Sequence, residues 1–462
     1  MSERALEKGT ELQGLSTAIL LPSSDLFGGP VRRAVSPLTQ IVGVGLFQRT
    51  VLTLQRAGIR QLIVLAGSEE DQLKQALGKG PRVTIPVRWM PIREFPLDDS
   101  RTWESLAAEA RGFCLLSGVG SVFSRQLIEQ LRQDVQGEQA IVVAQTSNEH
   151  PEQPQQLAPE LMLGNDSSGI ADFMVLPASG LSTAGRLAGE IGTVPISRWL
   201  QRAAIDGQVR IVTTGADSSK WYQPVGTSAD VRKAERRLFL SLKGEFEGFV
   251  DRYFNRKLSR WFTRIFLAFG VSPNVITMVA TAVGLLAAVG FGFGTYAAGV
   301  AAALLFQLAA VIDCSDGEAA RLTFTESPFG AWLDIAMDNV VHMAIFGGIA
   351  IGVYMNAAGS AWAWMALVLG AAAILGNILS FVLVNKAQKI KTASEWKTPV
   401  HAAWSDFMLK NVASRDFSVV VFLFALFGKL EWFLWIAAIG SIGFALVMLW
   451  VIRPSALAAT KA

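Results

Sequence analysis

Charge is scarce in this chain. Asp, Glu, Lys and Arg make up only 17% of the 462 residues, against 51% hydrophobic residues, and mean hydropathy is +0.37. A soluble domain carries about 25% charged residues, so a wholly soluble protein is excluded. The charges nearly cancel: 41 Lys and Arg against 38 Asp and Glu leave a formal net charge of +3. That balance gives no electrostatic footprint for nucleic acid, and no nucleic-acid partner is expected. Cysteine is nearly absent as well. Cys114 and Cys314 provide neither a disulfide framework nor a metal-ligand spacing, and they suit a reduced compartment. The first residues, Met1 to Gly14, are polar and mixed in charge, so no signal peptide is expected there.

What is present is unevenly spread. Long apolar runs begin only after Ser272. Before them, short apolar runs of strand length alternate with helical patterns. Thr17 to Leu21, Gln61 to Ala66, Val83 to Met90, Phe113 to Leu116 and Ala140 to Ala144 read as strands. Leu46 to Ala57, Glu69 to Leu77, Trp103 to Ala110 and Ser124 to Gln133 read as helices between them, and Ala171 to Leu176, Val194 to Ala204 and Val209 to Thr213 bring the domain to its close near Trp221. That alternation predicts an α/β domain with a largely parallel sheet over residues 1–229. Glu149 to Ser168 is rich in Pro, Gln, Asn and Asp and reads as a surface loop. Residues 230–271 interleave Arg and Lys with Leu, Phe and Trp. They predict amphipathic juxtamembrane helices lying on the cytosolic membrane face, with Trp261 and Phe262 at the interface.

Residues 272–462 predict an all-α transmembrane domain of six helices. The apolar segments are Asn274 to Gly294, Ala298 to Leu322, Phe329 to Tyr354, Ala361 to Val384, the shorter Phe417 to Phe427, and Trp432 to Ile452. Most approach the ~20 residues needed to cross a bilayer. Lys and Arg concentrate before the first segment, between the fourth and fifth, and at the C-terminal end. By the positive-inside rule, the N-terminal domain and the C-terminus are expected in the cytosol of a multi-pass protein, in the plasma (inner) membrane. Gly290, Gly292, Gly294, Gly347, Gly348 and Gly352 are small residues that permit close helix contact.

The scarce acids are concentrated where they are least expected. Asp313, Asp316, Asp334 and Asp338 stand at the ends of two long apolar segments. Asp313, Asp316, Gly317, Ala320 and Arg321 fall at i, i+3, i+4, i+7 and i+8, so they share one helix face. Gly330, Asp334 and Asp338 fall at i, i+4 and i+8 on another, and a turn around Glu326, Ser327 and Pro328 lets the two faces meet. Four converging carboxylates repel one another unless cations lie between them, and their oxygens suit hard divalent ions. An ion site of a divalent-cation transporter is the competing reading. Transport acids usually lie near the bilayer midplane, whereas these lie toward the cytosolic helix ends. Glu318 and Glu326 are expected to be solvated, His342 to be a hydrogen-bonded helix residue, and Cys314 to be a packing residue.

The pattern D-x2-D-G-x2-A-R-x8-G-x3-D-x3-D runs through Asp313, Asp316, Gly317, Ala320, Arg321, Gly330, Asp334 and Asp338 without a departure. It resembles the signature of the CDP-alcohol phosphotransferases (CDP-alcohol phosphatidyltransferases). Val271 to Thr277 and Ser414 to Phe417 also look like features of that family. The resemblance implies a membrane enzyme that moves a phosphatidyl or other phospho-alcohol group from a CDP-linked donor to a polar alcohol, releasing CMP. It implies that Asp313, Asp316, Asp334 and Asp338 ligate two divalent ions, Mg²⁺ or Mn²⁺, with Asp338 also the general base. Asp313, Gly317, Ala320, Arg321 and Gly330 would meet the CDP moiety. Arg415, Lys389 and Lys391 are candidates for a phosphorylated polyol acceptor, although the lysines also satisfy the positive-inside pattern. A homodimer in a lipid bilayer is expected.

The first half of the chain resembles the nucleotidyltransferase fold, especially cytidylyltransferases for sugar and inositol phosphates. The carriers are TAILL at Thr17 to Leu21, Gly45 to Arg49, Arg56 to Ile59, and Trp221 to Ala234. The phosphate loop keeps Gly28, Gly29, Arg32 and Arg33, but no Lys occurs between Lys8 and Lys74. Where active members carry metal-binding acids, this chain reads Ser117-Gly118-Val119-Gly120 and Pro224-Val225-Gly226-Thr227. Loss of nucleotidyl transfer is therefore expected of this domain. The two-part layout is similar to bifunctional inositol-phosphate cytidylyltransferase/di-inositol-phosphate-phosphate synthases. With donor supplied from outside, CDP-diacylglycerol is the first expectation and CDP-inositol the second. A nucleotide-binding membrane scaffold is the non-catalytic alternative.

Overall fold

The computed structural model describes residues 14–21, 35–81, 83–110, 112–135, 139–145, 170–187, 195–214, 219–242, 255–392 and 417–452. The chain divides into two compact units, Met1–Ser241 and Leu242–Ala462.

The first unit is built on a seven-stranded sheet. Its strands are β1 (Thr17–Leu21), β4 (Gln61–Ala66), β5 (Val87–Pro91), β6 (Phe113–Gly118), β8 (Ala140–Gln145), β9 (Ile170–Pro177) and β10 (Val209–Thr214), in the order β10-β8-β9-β6-β1-β4-β5. Strand β1 is buried along its whole length because it lies between β4 and β6, parallel to both. A central parallel strand covered on both faces needs an uninterrupted apolar run, and TAILL supplies one. Strand β9 is the exception to the parallel rule, running antiparallel to both β6 and β8. Helices α1 (Leu46–Arg56), α2 (Glu70–Gly78), α3 (Ser100–Ala110), α4 (Arg125–Asp134), α5 (Ala178–Arg186) and α6 (Pro195–Ile205) connect or cover the strands. One face of the sheet closes over Trp103, Leu106, Leu181 and Leu200.

Two short ribbons complete the unit. β2 (Gln40–Ile41) pairs with β3 (Val44–Gly45), and β7 (Ser121–Phe123) pairs antiparallel with β11 (Tyr222–Pro224). Helix α7 (Ser228–Ser241) follows and packs on β11 and β2, burying Ala234, Leu238 and Phe239. Part of the stretch expected on a membrane face is therefore used to cover the α/β unit. Its apolar residues form a narrow stripe that the ribbon fills.

Among the described residues the second unit contains helices and no strand: α8 (Arg256–Ala268), α9 (Pro273–Gly292), α10 (Tyr296–Thr323), α11 (Pro328–Asn356), α12 (Trp364–Thr392), α13 (Phe417–Leu426) and α14 (Leu430–Val451). Helices α9, α10, α11, α12 and α14 contain windows long and apolar enough to cross a membrane. Five candidate spans make this a multi-pass membrane protein. The expected sixth, α13, has ten described residues. At 1.5 Å per residue that covers about half of the bilayer core, so the count of six is not established.

Glycine sets the closest contacts between these helices. A Cβ on Gly348 would fall on the backbone carbonyl of Ala288, and one on Gly352 on that of Phe291. Helices α9 and α11 thus meet backbone to backbone, as small residues in membrane helices allow. Gly290 makes a looser contact, 3.0 Å from where its Cβ would stand to the Ala302 Cβ, whereas Gly292 faces open space.

Candidate active site

The acid-bearing segments are joined by a four-residue turn. Helix α10 ends on Phe324 in the left-handed conformation, φ 60°, where the Thr325 N–H returns to the Ala320 carbonyl at 2.9 Å. Ser327 then caps α11, its hydroxyl accepting from the Gly330 N–H at 3.0 Å, with Pro328 in the first turn. Proline at this place costs no hydrogen bond and ends the turn cleanly. The C-terminal end of α10 and the N-terminal end of α11 are held side by side.

Three of the expected acids converge there. One carboxylate oxygen from each of Asp313, Asp316 and Asp334 lies within 4.8 Å of the others. Asp313 and Asp316 are buried at 8% and 6% exposure, and Asp334 is half-buried. Among the described residues this is the one such group of three acids, histidines or cysteines. Asp338, one turn beyond Asp334, is also half-buried but stands outside the group of three.

The hydrogen bonding is uneven. Asp316 is anchored: the Thr277 hydroxyl of α9 donates to its Oδ2, and the Gly317 N–H meets its Oδ1. Asp334 Oδ1 is buried and has no hydrogen-bond partner. A buried carboxylate oxygen without a donor, beside two more carboxylates, is unfavourable unless positive charge is supplied. Oxygen donors at this spacing fit a hard divalent cation such as Mg²⁺ or Mn²⁺.

Small residues line the approach. Gly317 and Ala320 are half-buried on the acid face of α10. The Arg321 guanidinium lies over Gly317, 3.4 Å from where a Cβ would stand, and Arg321 is otherwise exposed. Gly330 faces Asn274 at the start of α9, whose Oδ1 would be 3.2 Å from a Cβ at 330. A side chain at 330 would press on the Asn274 and Ser327 side chains. His342 is held edge-on between the rings of Phe306 and Phe417, at centroid distances of 6.2 and 5.1 Å, which is a packing environment. Cys314 is buried.

Several candidates fall elsewhere. Arg415, Gly28, Gly29, Arg32 and Arg33 lie outside the described residues, as does the loop of residues 149–168. Lys389 and Lys391 are on α12, and their side chains lie outside the description.

Two residues in the site were not assigned roles by sequence reasoning. Thr277 belongs to the Val271 to Thr277 stretch, but nothing in one sequence pairs it with Asp316 across 39 positions. Glu318, expected in solvent, is completely buried. It accepts hydrogen bonds from Ser259 Oγ at 2.9 Å and Thr263 Oγ1 at 2.8 Å, both on α8. The spacing of Asn255, Ser259 and Thr263 at i, i+4 and i+8 marks a polar face on α8 and was the available signal.

The first unit also joins the two stretches where acids are missing. Val225 N–H donates to Gly120 O at 2.7 Å, and Pro224 pairs with Ser121. Ser117 and Gly118 end β6, with the Ser117 hydroxyl turned onto the Gly118 carbonyl at 2.6 Å. No carboxylate occurs in either stretch. Arg49, in the Gly45 to Arg49 segment, is buried and donates to the carbonyls of Ile41, at 2.7 Å, and Val42. Burial lowers its pKa to about 9, with Glu235 opposing the shift. It ties α1 to the β2–β3 ribbon.

The chain is similar to several known proteins. A bifunctional IPC transferase and DIPP synthase of Archaeoglobus fulgidus is 35% identical over 145 residues, 31% of this chain and 28% of that protein. A protein of the same description from Rubrobacter xylanophilus is 26% identical over 362 residues, 75% of this chain and 79% of that one. The match to the Archaeoglobus relative thus spans under a third of its length. Among solved structures, the 4-diphosphocytidyl-2C-methyl-D-erythritol synthase of Anaerococcus prevotii matches 49% of this chain and 99% of its own, at 15% identity and a TM-score of 0.33. Residues 270–443 match the family described as CDP-alcohol phosphatidyltransferase. The C-terminal part of this chain is a CDP-alcohol phosphatidyltransferase domain.

Proposed function

We propose that this chain is a metal-dependent membrane phosphotransferase that moves a phospho-alcohol group from a CDP-linked donor to a polar alcohol and releases CMP. The observation that carries the reading is the buried meeting of Asp313, Asp316 and Asp334, with Asp334 Oδ1 lacking any donor. These residues would hold one or two divalent cations, with Asp338 contributing from the next turn. Such cations supply charge neutralisation for the pyrophosphate and the departing CMP.

The protein's own groups do the remaining work. Gly317 and Ala320 leave room for the nucleotide against α10, and Arg321 offers a bidentate donor to a phosphate. Asp338 takes the proton of the acceptor hydroxyl as its oxygen attacks the distal phosphorus. The bond between that phosphorus and the bridging oxygen breaks, and CMP leaves with the electron pair. The positive-inside pattern supports a site that opens toward the cytosol, where a nucleotide has access.

Two donor readings are kept because different observations favour them. Without carboxylates at Ser117 to Gly120 or Pro224 to Thr227, the first unit is proposed not to make a CDP-alcohol, which favours externally supplied CDP-diacylglycerol. The relatives' description as DIPP synthases favours CDP-inositol with inositol phosphate. The test is CMP release by purified protein in lipid, with Mg²⁺ or Mn²⁺ and each donor against a panel of polyols and polyol phosphates. Release with one donor class settles the choice, and no metal-dependent release with any pair rejects the reading.

A further inference from the structure

The acid-bearing turn of α10 is held from two sides. In front are Thr277 of α9 and Asp334 of α11. Behind it lies α8. At about 100° per residue, Gln307, Ser315 and Glu318 fall on the side of α10 opposite Asp313 and Asp316. Each of them is engaged by α8 or by the residue just before it. Gln307 Nε2 donates to Asn255 Oδ1 at 2.7 Å, Ser315 Oγ donates to Ser259 O at 3.2 Å, and the Ser259 and Thr263 hydroxyls both donate to Glu318. Asn255, Ser259, Thr263, Ser315 and Glu318 are all essentially inaccessible.

This is an unusual way to dock an amphipathic helix. The inward side of α8 carries the Ser259 and Thr263 hydroxyls beside Phe262 and Phe266, which pack on the cluster containing Ile312 and Ala319 of α10, while Trp261 and Leu258 are exposed at 58% and 38%. A fully buried carboxylate in a membrane unit is costly unless donors surround it, so the contact is specific in register and direction. Shifting α8 by one residue would remove both hydroxyls from Glu318. Glu318 is also two residues from Asp316 on the same helix, so any rotation that frees it displaces the acids.

We infer that Glu318 is a positioning residue: through Ser259 and Thr263 it fixes the rotation of α10 and so the mutual placement of Asp313, Asp316 and Asp334. The inference rests on the metal reading above. Residues that orient metal ligands typically contribute 10–100-fold to metal affinity.

The test is Mn²⁺ binding by the full-length protein in lipid, followed by the electron paramagnetic resonance of free Mn²⁺. E318A is expected to weaken Mn²⁺ affinity by about tenfold or more, and E318Q, which still meets two hydroxyls, to restore most of it. The double variant S259A/T263A is expected to weaken binding similarly in the wild-type background, yet to add less than about twofold to E318A, as members of one unit do. If E318A does not give folded protein, the comparison of S259A/T263A with wild type decides alone. E318A or S259A/T263A binding Mn²⁺ like wild type, while D313N does not bind, overturns the positioning role. D313N binding like wild type instead rejects the metal site itself, and the inference with it.

Discussion

Two regions of this chain bring separated stretches together, and they differ in their acids. In the α/β unit, Gly120 and Val225 are joined by a backbone hydrogen bond at the end of a central strand, and the stretches contain no acid. In the membrane unit, Asp313, Asp316 and Asp334 are brought within 4.8 Å. The handling of buried charge separates the regions further. Arg49 in the first donates through Nη2 to the carbonyls of Ile41 and Val42, although its buried Nε meets no acceptor. Asp334 in the second keeps a buried oxygen with no donor. A buried charge aimed at its own backbone is a structural tie. Asp334 differs in lying beside two like charges, an arrangement that suits a divalent cation.

The largest expected effect comes from the membrane unit. D338N should reduce CMP release by about 10²–10⁴-fold, the usual contribution of a positioned general base. A folded D338N protein with full activity would remove Asp338 from the mechanism. D313N and D316N should each cost about 10²–10³-fold, through loss of charge stabilisation. A smaller effect is expected at Thr277, which holds Asp316 without touching substrate. T277V should raise the metal concentration for half-maximal CMP release by about 10–100-fold, and a metal titration at saturating donor measures it. Next comes packing: G352A places a Cβ on the Phe291 carbonyl. It should destabilise the helical unit by about 1–3 kcal/mol, seen as a lower Tm in detergent. The smallest effect is expected in the α/β unit. S117A should change CMP release by less than about twofold, in keeping with a unit outside the phosphotransfer chemistry. Pyrophosphate release from CTP by full-length D313N protein would break the comparison by showing a working first site.

Local pattern explains which parts were legible. Strands β1 and β4 fall on the residues their apolar runs mark, because a strand buried on both faces needs a continuous run. The antiparallel direction of β9 was not legible, since pairing partners leave no mark in a single run. The acids of α10 and α11 could be placed on shared faces from 3.6-residue periodicity alone. Glu318 was misread for the same reason. Periodicity shows that it points away from the acids, but not that α8 waits there with Ser259 and Thr263. The amphipathic reading of α8 saw its aromatic residues and overlooked the Ser259 and Thr263 hydroxyls, which are buried.

The most direct test of the metal site is CMP release measured against Mg²⁺ or Mn²⁺ concentration for wild type and D334N side by side. Wild type is expected to be inactive in chelator and to recover with added cation, while D334N stays about 10²–10³-fold lower at every concentration. Cation-independent release by wild type, or a D334N curve that overlays it, would contradict the assignment of Asp313, Asp316 and Asp334 as the metal-holding centre.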